Sequence, residues 1–226
     1  MYAQEYSVDT KSPETIVLPN IQTPKNNKLG YILNQPAYPV EPHFKQVKFI
    51  QQPEAKTLSE RIDRLIHGIY IDIPPEYDHY GYEIRRHMKS ILTPHDLHNT
   101  LVLPQKIKDA NSARIILNYW KKELSEEIKE IEALMDERDT TIAQKTTFRY
   151  NKRIVTTFLP EAYEWVDSNI EFLEKMREIS GEFYVNYPFY QIPDRNSRQE
   201  VQDLYDQREA ALEQIIKYSP FRAMIY

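Results

Sequence analysis

The sequence contains no cysteine and only four glycines in 226 residues. The absence of cysteine excludes disulfide bonds, thiolate metal ligands and cysteine nucleophiles, and it fits a reducing compartment. Glycine lets backbone approach a ligand closely. The sequence has neither a Gly-x-Ser-x-Gly elbow nor a Gly-x-x-x-x-Gly-Lys phosphate loop. We therefore assign no catalytic residue and no cofactor, and we favour a non-catalytic protein over an enzyme.

Long apolar runs and a strong charge of one sign are also missing. No stretch approaches the roughly 18–20 apolar residues that cross a bilayer. A net charge of −5 gives no general attraction to nucleic acid or to anionic membranes. The first residues lack the basic and apolar regions of a secretory signal. We expect a protein that is not secreted and has no membrane span, in the cytoplasm, a virion or an organelle reached without a cleaved presequence.

Proline and glycine are absent from Gln105 to Leu159, although the chain has 15 prolines. These residues most strongly interrupt regular structure, so the window predicts very long helix. Its apolar residues recur with the seven-residue spacing of a coiled-coil seam. The seam comprises Leu117, Leu124 and Ile131, with Trp120, Ile128 and Met135 in the other half of the stripe.

The seam fades at residues 136–141, which are polar. Either one helix continues there through a solvated turn, or the chain turns back as a hairpin. Beyond this point Ile142, Phe148, Ile154, Val155 and Phe158 resume an apolar face less regularly.

Local signals predict the remaining helices. Thr57 and Glu60 form a capping box that starts a first helix, and Gly68 ends it. A second helix is expected over about Tyr80 to Leu92, followed by an extended segment over 101–104.

Later breakers mark the C-terminal helices. Pro160 is expected to open a helix that Gly181 caps. Ser197 is expected to cap the last helix, which Pro220 ends.

Residues 1–56 hold seven of the 15 prolines with single apolar residues between them, Ile16 and Val17 included. This composition predicts an extended arm with anchor points. The fold class is therefore mainly α: an elongated helical or coiled-coil body, built of hairpins or a bundle, with an extended Pro-rich N-terminal arm. We divide the chain into the arm 1–56, short helices and loops over 57–104, and a long-helix body over 105–226 with an aromatic loop and an apolar tail.

Apolar residues that need a partner surface are the predicted binding residues. They lie in the seam, in the aromatic loop 182–193 and in the tail after Pro220. They are Leu117, Trp120, Leu124, Ile128, Ile131, Phe183, Tyr184, Tyr187, Phe189, Tyr190, Phe221, Ile225 and Tyr226.

Four of the six histidines fall between residues 79 and 98: His79, His87, His95 and His98. Histidine is a zinc ligand, so these four are weak metal candidates, with His95 and His98 closest in spacing. The spacing matches no His-Glu-x-x-His motif, and ordinary surface histidines explain it more simply.

A local basic patch interleaves cations with aromatic residues, a pattern that can bind single strands. It comprises Lys145, Arg149, Lys152 and Arg153, with Phe148 and Tyr150 between them. Four charges in an acidic chain do not favour nucleic acid as a partner, and pairing with the acidic stretch before them is the simpler interpretation.

These features predict a non-catalytic structural subunit that wraps and braces neighbours in a large assembly such as a virion, a mitochondrial complex or a cytoskeletal complex. The expected partners are other protein subunits, and copies of the chain itself are among the candidates. One alternative is an all-α metal-dependent enzyme using His79 to His98. A second is a nucleic-acid-binding module using the patch at 145–153.

Overall fold

The computed structural model describes residues 16–17, 54–74, 77, 79–92, 102–137, 139–186 and 189–224. Apart from Ile16 and Val17, the predicted arm up to residue 53 lies outside these ranges. The described elements are helices α1 (Leu58–Arg64), α2 (Tyr80–Leu92), α3 (Leu103–Glu137), α4 (Ile142–Glu178), α5 (Arg195–Ile215) and α6 (Ser219–Arg222), and strands β1 (Ile16–Val17), β2 (Tyr184–Asn186) and β3 (Phe189–Gln191). The predicted mainly α fold is confirmed. None of the helices in these ranges is long and apolar enough to cross a bilayer.

The proline-free and glycine-free window folds as an antiparallel hairpin of α3 and α4. The helices have 35 and 37 residues, so they are about 52 and 55 Å long at 1.5 Å per residue. Two ion pairs fix their register: Lys152 Nζ lies 2.7 Å from Glu132 Oε1, and Arg114 Nε lies 3.1 Å from Asp167 Oδ1. This resolves the open choice between one helix and a hairpin.

The turn between the two helices is encoded by a capping box at Thr141. The hydroxyl of Thr141 accepts from the backbone N–H of Gln144 at 3.2 Å, and the Gln144 side chain accepts from the N–H of Thr141 at 3.0 Å. The reciprocal bonds satisfy two of the N–H groups that a helix start leaves unpaired. The side-chain amide of Gln144 also donates to Ser59 Oγ at 3.1 Å, which ties the turn to α1.

Helix α4 passes through Pro160, so the prediction that this proline opens a helix is wrong. Proline has no N–H and leaves a backbone carbonyl one turn earlier without its usual donor. Because Pro160 is exposed, water can reach that carbonyl. The chain tolerates a proline inside a long helix on its solvent side.

Three other boundaries differ from the sequence prediction. Leu103 is already helical, which corrects the predicted extended segment over 101–104 at this residue. Helix α5 is capped by Asp194, whose Oδ2 accepts from the N–H of Ser197 at 2.6 Å, so Ser197 is the third residue of the helix and not its cap. Pro220 lies in the first turn of α6, after α5 has ended at Ile215.

The other helices pack along the hairpin in alternating directions. Helix α2 runs antiparallel to α3, since His79 contacts Trp120 and His87 contacts Asp109. Helix α5 runs antiparallel to α4: Lys175 Nζ lies 2.5 Å from Glu200, and further along Lys217 Nζ lies 3.0 Å from Glu161. Helices α2 to α5 thus form an up-and-down arrangement.

The aromatic segment after α4 forms a small antiparallel sheet with strand order β1-β3-β2. Strand β3 pairs with β2, and on its other edge Ile16 and Val17 pair with Tyr190 and Phe189. A piece of the N-terminal segment is therefore attached to backbone that lies more than 170 residues later in the sequence.

The described core is one cluster that runs from Ile62 on α1 to Met224 after α6. It crosses the predicted boundary between residues 104 and 105. Phe158 lies at its centre, fully buried, with ring centroids 5.2 Å from Trp120, 5.1 Å from Tyr218 and 5.3 Å from Phe221.

Gly68 closes the loop after α1 and offers a stability test. Its φ is +75°, and a Cβ there would collide with the ring of His79. Gly181 has a similar φ of +89°, but a Cβ at that position would meet no atom within 4 Å, so Gly181 isolates the cost of backbone strain. We expect Gly68→Ala to lower the free energy of unfolding by about 2–4 kcal/mol and Gly181→Ala by about 1–2 kcal/mol.

The measurement is urea unfolding of both variants and the parent protein. Equal losses would contradict the packing of His79 against Gly68, because a Cβ at Gly181 meets no neighbouring atom.

Candidate functional site

The first three turns of α4 carry cations on one outward face. Lys145, Arg149 and Arg153 follow each other at four-residue steps, about 6 Å apart along the axis. All three are exposed. On the opposite side of the helix, Phe148 and Val155 are buried. The burial of one face directs the three cations into solvent on the other.

Two large apolar residues share this exposed surface. Ile142 is 86% exposed and Tyr150 is 62% exposed. The expectation that Ile142 belongs to the inward apolar face is wrong. Six residues separate it from Phe148, which on a helix of about 100° per residue places it about 120° away from that stripe. We call Ile142, Lys145, Arg149, Tyr150 and Arg153 the basic face.

The cations of the basic face have no partner among the described residues. No side chain of Lys145, Arg149 or Arg153 makes an ion pair or hydrogen bond there. No acidic residue occurs from Ile142 to Pro160. The fourth predicted cation, Lys152, behaves differently, because its ion pair with Glu132 holds it against α3. The structure therefore brings three of the four predicted basic residues onto one unpaired surface.

The predicted seam is buried within the chain itself. The exposed fractions of Leu117, Trp120, Leu124, Ile128 and Ile131 are all 9% or less. Their packing partners are the chain's own helices, as the 5.2 Å contact of Trp120 with Phe158 shows. The seven-residue spacing reflects an internal bundle, so it is not evidence for an external coiled-coil partner at these positions.

The predicted binding residues of the aromatic loop and the C-terminal tail fall into three groups. Phe183 and Phe221 are buried in the core, which corrects the preference for a neighbour as the surface on which Phe221 docks. Tyr184, Phe189 and Tyr190 contribute backbone to the small sheet. Tyr187, Ile225 and Tyr226 lie outside the described residues.

The histidines within the described ranges do not form a common site. His79 packs edge-on against Trp120 of α3, and His87 lies 3.4 Å from Asp109 of the same helix. Asp109 precedes Trp120 by 11 residues, so the two contacts are about 16 Å apart along the axis of α3. Among the residues whose side chains are described, no group of three His, Asp or Glu is arranged to hold a metal ion. His95 and His98 lie outside these residues.

The contacts of His79 give it a structural role. Its Nδ1 accepts from the backbone N–H of Gly81 at 3.1 Å. Burial, followed by the nearby His67 and Arg85, lowers the pKa of His79 from 6.5 to about 4. The imidazole is therefore neutral in the folded protein at pH 7.

Arg208 is a buried cation that sequence analysis missed. Only 6% of it is exposed, and its guanidinium carbon lies 5.2 Å from the ring centroid of Phe172 and 5.8 Å from that of Tyr205. Its Nε is sealed from solvent without a hydrogen-bond partner, and burial lowers its pKa. Its position on the apolar stripe of α5, seven residues after Val201 and seven before Ile215, is the signal in the sequence that could have identified it.

Arg85 is the contrasting case. It is similarly buried, but its Nη1 donates to the carbonyl of Pro220 at 2.9 Å, its Nε donates to the carbonyl of Gly81 at 3.1 Å, and its Nη2 lies 2.5 Å from Asp72 Oδ1. The guanidinium therefore ties α2 to α6 and to the loop before α2.

The two arginines predict opposite effects of the same substitution. Arg208→Met removes an unpaired buried charge and keeps most of the side-chain volume. The desolvation cost of several kcal/mol exceeds the roughly 2 kcal/mol that ring contacts return, so we expect the free energy of unfolding to rise by about 1 kcal/mol or more. Arg85→Met leaves the buried Pro220 carbonyl without this donor and Asp72 without its ion pair, and we expect a loss of about 2–4 kcal/mol.

Chemical denaturation of both variants and the parent measures these changes in the free energy of unfolding. A lower unfolding free energy for Arg208→Met would show that the ring contacts outweigh the buried charge.

The lowered pKa of His79 predicts how the free energy of unfolding changes as the pH falls below 6.5. Its folded pKa lies below its unfolded value, so the unfolded chain binds the extra proton between pH 6.5 and about 4. Stability from this group is complete above pH 6.5 and is lost as the pH falls to about 4, by up to about 3 kcal/mol. His79→Asn retains an acceptor for Gly81 N–H but cannot titrate. We expect its unfolding free energy to depend less on pH over this window, and an unchanged slope would contradict the burial of His79.

Comparison of the chain with protein-family models, curated proteins and solved structures finds no match in any of the three. The chain's own surface therefore provides the functional evidence, and the basic face, which contains the two most exposed large apolar residues described, is a feature that internal packing does not explain.

Proposed function

We propose that this chain is a non-catalytic structural subunit that contacts neighbouring proteins in a larger assembly, and that the basic face is one of its contact surfaces. The observation that carries the proposal is the exposure of Ile142 and Tyr150 among three unpaired cations. Leaving an apolar side chain of this size in water rather than burying it costs about 1.5–3 kcal/mol. A partner that covers the face would recover much of that free energy.

The composition of the face supports a protein contact. Tyrosine and arginine are enriched in protein interfaces, where they offer large contact areas with polar ends. The basic face contains both, and its apolar residues are framed by polar ones. Exposed apolar residues framed in this way are typical of interaction sites.

The hairpin provides a rigid support for such a contact. Helices α2 and α5 pack along the half of the hairpin that lies away from its turn. Helix α1 packs against both α3 and α4 in the half near the turn. Asn151 Nδ2 donates to the carbonyl of Ile62 at 2.8 Å, and Arg61 lies 2.7 Å from Glu127. The outward side of the first turns of α4 stays uncovered among the described residues. A virion, mitochondrial or cytoskeletal setting for the assembly is a prediction from the sequence.

The test compares the size of the native particle that contains the chain. We expect the tagged parent protein to sediment from its native source well above its own 27.0 kDa. A variant with Lys145→Glu, Arg149→Glu and Arg153→Glu should shift toward the free chain, because reversing the sign of the face opposes its partner.

The matched control reverses three exposed cations elsewhere, Lys89→Glu, Arg195→Glu and Arg222→Glu, which changes the net charge by the same amount. This control should stay in the large particle. A parent protein that sediments alone, or a basic-face variant that stays assembled, would contradict the proposal.

A further inference from the structure

An acidic cluster lies at the same end of the hairpin as the basic face. It consists of three carboxylates, Asp136 and Glu137 in the last turn of α3 and Asp139 in the turn that follows, which we call the acidic tip. Arg138 lies between them in the sequence, outside the described residues, so the stretch 136–139 has a net charge of −2. All three acidic residues are exposed. Within the described ranges, none of their carboxylates makes a hydrogen bond or an ion pair. Both signs of charge are thus left unpaired only a few residues apart in the chain.

Neighbouring charges on the same helices do pair. Lys152 bonds to Glu132 across the hairpin, and Arg61 of α1 lies 2.7 Å from Glu127 and 2.6 Å from Glu130. The basic face is excluded from such pairs because its side chains lie opposite the buried stripe of α4. No described residue of the chain therefore supplies its complement.

We propose that the basic face binds the acidic tip of a second copy of this chain, in a symmetric dimer that contains the contact twice. This inference rests on the proposed function and identifies the neighbouring protein as a second copy of the chain. In a two-fold dimer the same surfaces meet reciprocally, so one geometry satisfies both clusters of both copies.

The register of the hairpin fits this arrangement. The Lys152–Glu132 pair shows that the basic face and the acidic tip lie at nearly the same height along the hairpin. Rotation about a two-fold axis parallel to the helices leaves the height of every residue along the hairpin unchanged and moves it to the opposite side of the axis. It therefore places the basic face of each copy level with the acidic tip of the other, and it brings α4 alongside the partner's α3 in antiparallel orientation.

A second copy fits the surface better than a nucleic acid does. A polyanion that follows the basic face would meet the acidic tip at the same end, and the chain as a whole carries a charge of −5. A second copy uses both clusters, and Ile142 and Tyr150 provide the apolar contact that a phosphate backbone cannot use. Nucleic-acid binding is therefore an alternative outcome of the test.

The test is a charge exchange between the two clusters of the full chain. One variant carries Lys145→Glu, Arg149→Glu and Arg153→Glu; the other carries Asp136→Lys, Glu137→Lys and Asp139→Lys. The six changed residues are all exposed, and circular dichroism confirms that each variant is folded. Sedimentation at low and high salt then measures association of the parent, of each variant alone and of their equimolar mixture.

We expect the parent to dimerise at low salt and to dissociate as salt screens the pairs. Each variant alone should dissociate with a constant at least about a hundredfold higher, because like charges then face each other at both contacts. The equimolar mixture should dimerise again, since both contacts are opposite in sign once more. The variant Lys89→Glu, Arg195→Glu, Arg222→Glu should dimerise like the parent.

Three results would overturn the proposal: a parent that stays monomeric at low salt, variants that each still dimerise, or a mixture that fails to recover. Titration with a single-stranded oligonucleotide of mixed sequence completes the test. Binding that depends on the basic face, by a monomeric parent, would assign the face to nucleic acid. A monomeric parent whose basic-face variant still leaves the native particle would overturn the dimer and retain the structural-subunit function.

Discussion

The burial of Phe158 is the contact on which the arrangement of helices depends. Its ring meets Trp120 of α3 and both Tyr218 and Phe221 of the C-terminal segment. Trp165 extends the cluster through Phe221, at a centroid distance of 6.0 Å. Each aromatic pair contributes about 0.5–1.5 kcal/mol beyond its buried area. Because these rings come from residues up to about 100 positions apart, the cluster joins helices that local propensity alone would leave unrelated.

Hydrogen bonds specify the geometry that this apolar cluster leaves open. Ring packing tolerates small rotations, but Arg85 must reach Pro220, Gly81 and Asp72 together, which fixes α6 on α2. The loop after α1 is fixed in another way, since Gly68 leaves just enough space for the His79 ring. A buried cation with three partners and a glycine with no side chain therefore have the same effect, which is to select one packing among several of similar apolar burial.

The local signals in the sequence were sufficient where the structure is decided within a few residues. The Thr57 cap and the helix from Tyr80 to Leu92 occur as predicted. Periodicity shows that Leu124 must be buried but not what buries it, because an internal bundle and an external coiled coil have the same pattern. The path through Pro160 depends on which side of α4 faces solvent. That information exists only once the helices are assembled.

The distribution of charge along the hairpin follows from the same packing. Where other helices cover α3 and α4, charges are drawn into pairs such as Arg114 with Asp167. Near the turn, α1 packs against both helices of the hairpin, and the charges of the basic face and the acidic tip stay unpaired among the described residues. Because Ile131 and Phe148 near the turn belong to the same buried cluster as Phe158, the outward charges at this end stand on packed helices.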